Sequence, residues 1–135
     1  MLDTNTVSYI AKGVSLTARH RLSTLDPGQV ACISVITEAE LLYGIARLGT
    51  NDRRTYALRA FLARFQVLPW GSAEAAIYGT FRSAQEAIGK PLGPLDTQIA
   101  AHAISVGAIL VTSDAAFLHA KGLAGLESWT TDLAQ

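Results

Sequence analysis

Cysteine is almost missing: Cys32 stands alone, inside the apolar run Val30 to Val35. No disulfide can form within the chain, and a reduced, cytoplasmic setting fits. No apolar run of about 18 residues occurs, so neither a membrane-spanning helix nor a membrane partner is expected. The opening Met1-Leu2-Asp3-Thr4-Asn5 has no basic start leading into an apolar stretch, so no secretory leader is expected. There is no Gly-rich phosphate loop and no Gly-x-Gly-x-x-Gly, which removes the usual nucleotide-binding devices. His20, His102 and His119 are too scattered for ligand spacing, and all three are expected to be structural or surface residues. Ser34 and Thr37 lack the His–Asp partners of a hydroxyl nucleophile. Phe61 with Phe65, and Tyr78 with Phe81, recur at helical spacing, which suits a core or a partner surface better than a base-stacking platform.

Net charge is absent too. Eleven basic residues balance eleven acidic ones, whereas a nucleic-acid partner ordinarily goes with a basic surface. The distribution is less even. With Asp3, Glu40, Asp96 and Asp114 set aside as candidates for one site, seven acidic residues face eleven basic, a surplus of four. Residues 41–73 hold Arg47, Arg53, Arg54, Arg59 and Arg64 against only Asp52. That stretch could track a phosphate backbone or form a solvated helix face.

What is present is apolar bulk in a regular pattern. Half of the 135 residues are hydrophobic, enough for one domain over residues 1–135 with a sizeable core. Strands are predicted at Val30–Val35, Gln66–Trp70, Ala108–Thr112 and Leu126–Thr130. Helices are predicted at Thr37–Leu48, across 55–65, from a Ser72 cap to Ile88, at Pro94–Val106 and at Ala115–Ala120. Such alternation predicts an α/β fold with a parallel sheet covered on both faces. Ligands of such sheets sit beyond the carboxyl ends of the strands. Asp3 and Asp114 fall at such ends.

Four carboxylates far apart in sequence can meet only through the fold. Mg²⁺ and Mn²⁺ are hard cations that prefer carboxylate and water oxygens, and they neutralise charge on a phosphoryl group. Without metal, clustered acids repel and raise one another's pKa values. Each acid also has a structural reading. Asp3 suits an Asx-turn. Glu40 could close a capping box with Thr37, although Gly44 on the same face leaves room for something to approach. Asp96 suits the first turn of a helix, with small Ala100 one turn later. Asp114 could cap the next helix.

The segments around these acids are more specific than the acids alone. Leu2-Asp3-Thr4-Asn5, Glu40-Leu41-Leu42-Tyr43-Gly44, Asp96-Thr97-Gln98-Ile99-Ala100-Ala101-His102-Ala103 and Leu110-Val111-Thr112-Ser113-Asp114-Ala115-Ala116-Phe117 resemble the four acidic motifs of the PIN-domain ribonucleases. They share the family's order and spacing, and they closely resemble the VapC toxins within it. The likeness covers nearly the whole chain, including Trp129. The opening through Thr6 and the turn Gly93-Pro94-Leu95-Asp96 also resemble the VapC toxins that cleave initiator tRNA. Family members often carry several more apolar residues before the first acid, so the first strand is expected to be very short or to start upstream. The fourth motif reads Thr112-Ser113-Asp114 where the family often has Thr-Asn-Asp or Thr-Asn-Asn.

The resemblance implies a PIN-like three-layer α/β/α sandwich around a central parallel sheet of four to five strands. It implies a Mg²⁺- or Mn²⁺-dependent endoribonuclease, the toxin of a type II toxin–antitoxin pair, acting on RNA such as the initiator tRNA anticodon loop. Metal-activated water would attack in line and leave a 5′-phosphate and a 3′-hydroxyl. Asp3 and Asp96 would be principal metal ligands, and Asp114 would complete the pocket. Glu40 would hold a metal or a water and help orient the nucleophile, while Asn5 and Thr112 would be polar supports or substrate contacts. A VapB-type antitoxin and a second copy of the chain are the expected partners. Two other readings remain: a catalytically weak PIN domain serving as the partner-binding subunit of a DNA-binding complex, and a metal-dependent phosphatase suggested loosely by Asp3-Thr4-Asn5.

Overall fold

The computed structural model describes residues 1–49 and 51–133. Cys32–Ser34 (β1) pairs in parallel with Gln66–Leu68 (β2), and Ile109–Val111 (β3) pairs in parallel with Gly125–Glu127 (β4). Residues 1–3 join the two pairs. The Leu2 amide donates to the Cys32 carbonyl at 3.0 Å, the Val111 amide to the Met1 carbonyl at 2.8 Å, and the Asp3 amide to the Val111 carbonyl at 3.0 Å. Leu2 and Val111 are bridged in parallel. The order is therefore β2, β1, residues 1–3, β3, β4.

Successive strand side chains point to opposite faces, and this parity builds the layers. Leu2, Ile33 and Val111 pack on one side, with Val7, Ile10, Leu41, Ile45 and Trp129. Met1, Cys32 and Leu110 pack on the other, with Phe81, Ile99 and Phe117. Thr4–Ala11 (α1), Leu16–Ser23 (α2), Val35–Leu48 (α3) and Arg53–Leu62 (α4) cover the first face. Ser72–Ala87 (α5), Pro94–Val106 (α6) and a 3-10 turn at Ala115–His119 cover the second. The result is the expected three-layer α/β/α arrangement.

Several boundaries differ from expectation, each for a local reason. The strand predicted at Val30–Val35 is confined to Cys32–Ser34 because Ser34 turns the chain into α3: its hydroxyl accepts from the Ile36 amide at 3.0 Å. Val30 lies outside the strand and is 70% exposed. Helix α3 thus starts before Thr37, so the Thr37–Glu40 capping box does not form. Gly71, not Ser72, precedes α5, and the Glu74 carboxylate accepts the Gly71 amide at 2.9 Å. That bond holds the Glu74 carboxyl below its ordinary range. The last strand is Gly125–Glu127 rather than Leu126–Thr130. Helix α6 matches its prediction, and Gly107 ends it at φ 67°, a left-handed conformation that suits glycine.

Helices α1 and α2 were not anticipated. Asp3 caps α1, whose Thr and Val residues weaken its helical pattern. The carboxylate of distant Asp132 accepts from the Ser15 and Thr17 hydroxyls, both at 2.6 Å, and from the Leu16 amide at 2.8 Å. It thereby closes the start of α2, and these bonds hold its carboxyl far below the ordinary range.

On the second face Gln85 is a polar brace. It is 1% exposed; its amide nitrogen donates to the Lys90 and His119 carbonyls at 3.0 and 2.9 Å, and its oxygen accepts the Lys121 amide at 3.1 Å. Replacing it with leucine strands all three backbone groups. Gln85→Leu is expected to lose about 1–3 kcal/mol in urea unfolding. Arg82→Ala, which breaks only exposed contacts, the pair with Glu86 and a hydrogen bond to the Tyr78 hydroxyl, should stay within about 0.5 kcal/mol. Equal losses would remove the bracing role.

Candidate active site

The carboxyl ends of the central strands bring the predicted acids to one end of the sheet. Asp3 leaves the first strand with only 4% exposure. Its Oδ1 accepts the Thr6 amide at 2.9 Å, and its Oδ2 accepts the Thr112 hydroxyl at 2.5 Å. Thr112 follows β3, is 3% exposed, and also accepts the Asp114 amide at 3.1 Å. One buried hydroxyl thus ties the first acid to the turn carrying the fourth. Asp114 is exposed and caps the 3-10 turn, its Oδ1 accepting the Ala116 amide at 2.9 Å. Its capping and site readings are therefore compatible.

Glu40 lies mid-helix on α3 and turns toward α1, where its Oε1 accepts the Thr4 hydroxyl at 2.7 Å. Thr4 also lies 3.3 Å from the buried Thr37 hydroxyl. Gly44 has open space where a Cβ would stand, as its place on the Glu40 face suggested. Ala100 differs: it is fully buried in the core, so its small size serves packing rather than access.

Asp96 sits in the first turn of α6 and is half-buried. Burial raises its carboxyl above the ordinary range, and the charges of Asp114, Asp3 and Glu40 raise it further. All four acids therefore share one field. They do not form a closed ligand cage as placed: among the described residues, no three His, Cys, Asp or Glu side chains gather as a ready metal site. Three of the four lean instead on hydroxyl and amide donors. A cavity of about 210 Å³ is lined by Asp3, Asn5, Thr6, Tyr9, Ser113 and Asp114. Asn5 is on its exposed rim, while Glu40 and Asp96 lie outside its lining. The donors still fit a divalent cation in kind, being hard oxygens whose repulsion a cation relieves.

Thr4, Tyr9 and Ser113 were passed over in the sequence. Thr4 stands between two residues already singled out, a hydroxyl directly after the first acid. His102 is fully buried, with its Nδ1 2.7 Å from the Ser34 hydroxyl. It fastens α6 to the cap of α3, in keeping with a structural role. The arginines of 41–73 have local partners at three positions. Arg54 pairs with Asp52 at 2.7 Å, while Arg47 and Arg64 lie over the rings of Tyr43 and Phe61.

A parallel sheet inside an α/β/α sandwich, with acids from four elements at its carboxyl end, defines an acidic-site α/β domain. Residues 1–123 match the PIN domain. A tRNA(fMet)-specific endonuclease VapC from Shigella flexneri is 34% identical over 130 residues, spanning 96% of this chain and 97% of the relative. Ribonuclease VapC2 from Haemophilus influenzae is 37% identical over 114 residues, 84% of this chain and 85% of the relative. VapBC2 from Rickettsia felis, solved bound to a DNA fragment from its promoter, superposes with a TM-score of 0.87 at 31% identity, covering 96% of this chain and 97% of that one. The chain belongs to the PIN-domain family.

The raised Asp96 carboxyl has a thermodynamic consequence. The folded state keeps this proton to higher pH than the unfolded chain does. The associated stability is present below the unfolded value and is lost as pH rises through the folded one. In EDTA at neutral pH, Asp96→Asn is therefore expected to melt above the native sequence, and the gap should close as pH falls through the carboxylate range. A lower melting temperature for Asp96→Asn at neutral pH would contradict the repulsion.

Proposed function

We propose that this chain is the endoribonuclease toxin of a type II toxin–antitoxin pair, acting with Mg²⁺ or Mn²⁺ as one cytoplasmic domain. The observation that carries this reading is the position of Asp96, half-buried and under the joint field of Asp3, Glu40 and Asp114. A fold gains no stability by collecting like charges, so the arrangement makes sense for a counterion and an anionic substrate.

Asp3, Asp96 and Asp114 would hold the cation, which when bound lowers the pKa of a water and neutralises charge on the phosphodiester. Thr112 fixes the rotamer of Asp3 through the 2.5 Å bond. Thr4 aims Glu40 in the same way at 2.7 Å, which keeps that carboxylate oriented to position a water and take its proton. Asn5, exposed at the cavity rim, would meet the substrate.

The Shigella relative's name supports initiator tRNA as the substrate, and the VapBC complexes from Rickettsia felis and Salmonella typhimurium support a VapB-type antitoxin as partner. Helices α4 and α5 are the faces proposed for a homodimer. No helix among the described residues is long and apolar enough to cross a membrane.

Asp3→Ala and Asp96→Ala are each expected to slow RNA cleavage at least about 100-fold, because a lost ligand removes several kcal/mol of charge stabilisation. Thr112→Val should cost about 10- to 100-fold through the orientation of Asp3. Chelation should abolish cleavage, and circular dichroism should show all variants folded. Unchanged cutting in EDTA would end the metal mechanism. Sequencing RNA 5′ ends after brief induction is expected to show cuts in the initiator tRNA anticodon loop; cuts scattered through mRNA would remove that substrate.

A further inference from the structure

We propose that Tyr9 is the floor of a nucleobase subsite, receiving an unpaired base beside the scissile phosphate; the proposal rests on the ribonuclease reading above. Tyr9 lies on α1 one turn after Asn5, so the two share a helix face. It lines the cavity of about 210 Å³ that also contains Asp3 and Asp114. The ring is half-buried. It is outside both core clusters, and among the described residues it belongs to no aromatic pair.

A half-buried aromatic ring in the wall of a cavity that two carboxylates also line contributes little to the core. A carboxylate gains nothing from the negative face of a ring. A heterocyclic base does: single-stranded RNA is recognised by splaying bases out and stacking them on aromatic side chains. The rest of the lining suits the same ligand. Asn5 offers an amide that can donate and accept, and can therefore read a base edge. Ser113 is already bonded to Ser128 at 2.9 Å and to Thr130, so that wall is fixed before a ligand arrives. A strand whose phosphate sits among the acids has its neighbouring base within reach of this cavity. A duplex, with its bases turned inward, has none to insert.

The test uses the full chain, with Ca²⁺ in place of Mg²⁺, and two fluorescent probes of equal charge: a homouridine RNA dodecamer and an abasic dodecamer. Anisotropy titrations are expected to show Tyr9→Ala binding the uridine strand at least about fivefold more weakly, with affinity for the abasic strand unchanged. Tyr9→Phe, which keeps the ring, should restore the lost affinity. Equal weakening on both strands would mean that Tyr9 only supports the fold, and overturns the proposal. So would undiminished uridine binding by Tyr9→Ala, or a native protein that binds both strands alike. Native protein that binds the uridine strand yet cuts no RNA in Mg²⁺ would sink the nuclease reading while leaving the base subsite standing.

Discussion

Residues 1–3 are hydrogen-bonded on both sides, to Cys32 and to Val111, and the acidic end of the molecule depends on that insertion. It makes a segment of three residues the central member of the sheet. It also brings Asp3 to the one place where the Thr112 hydroxyl can reach it. A hydrogen bond to a buried charge is worth roughly 1.5–3 kcal/mol, and here it also selects the side-chain rotamer. Because Thr112 accepts the Asp114 amide in turn, the same hydroxyl sets the path of the chain toward the next acid.

The electrostatics of this end are a balance between repulsion and local donors. Asp3, Glu40 and Asp114 each have a hydroxyl or amide to lean on. Asp96 has the raised carboxyl, through burial and the three neighbouring charges. A divalent ion would change the sign of that pocket, turning mutual repulsion into shared attraction. The threonines matter because they bond carboxylates without adding charge, so they hold the acids in place without competing for the role of cation.

Much of this was legible in the sequence where two signals agreed. Helix α6 was readable from Pro94 to Val106 because proline opens it and Gly107 closes it. The parallel sheet followed from the alternation of short apolar runs with helical stripes. Asp3, Glu40, Asp96 and Asp114 were singled out through four motifs in order, and no single one would have sufficed. Glu40 shows why: Thr37-Glu38-Ala39-Glu40 has the spacing of a capping box, and only the Ser34 cap reveals that the helix starts earlier. The unreadable parts depend on distant contacts. Helix α2 has its first turn closed by Asp132, and Glu40 is aimed by Thr4, 36 residues away. Tyr9 was missed because α1 was missed, and without a helix its shared face with Asn5 has no meaning.

The central segment, residues 1–3, is synthesised long before β3, its second neighbour. Asp3 and the hydroxyl that orients it are 109 residues apart, so the central strand stays half-paired through most of synthesis. Domains fold as units once their long-range partners have emerged. A growing chain therefore carries an unfinished cleft while it is still attached to the translation machinery. A fragment released before residue 96 holds only Asp3 and Glu40 of the four acids, so interrupted synthesis leaves the acidic end incomplete.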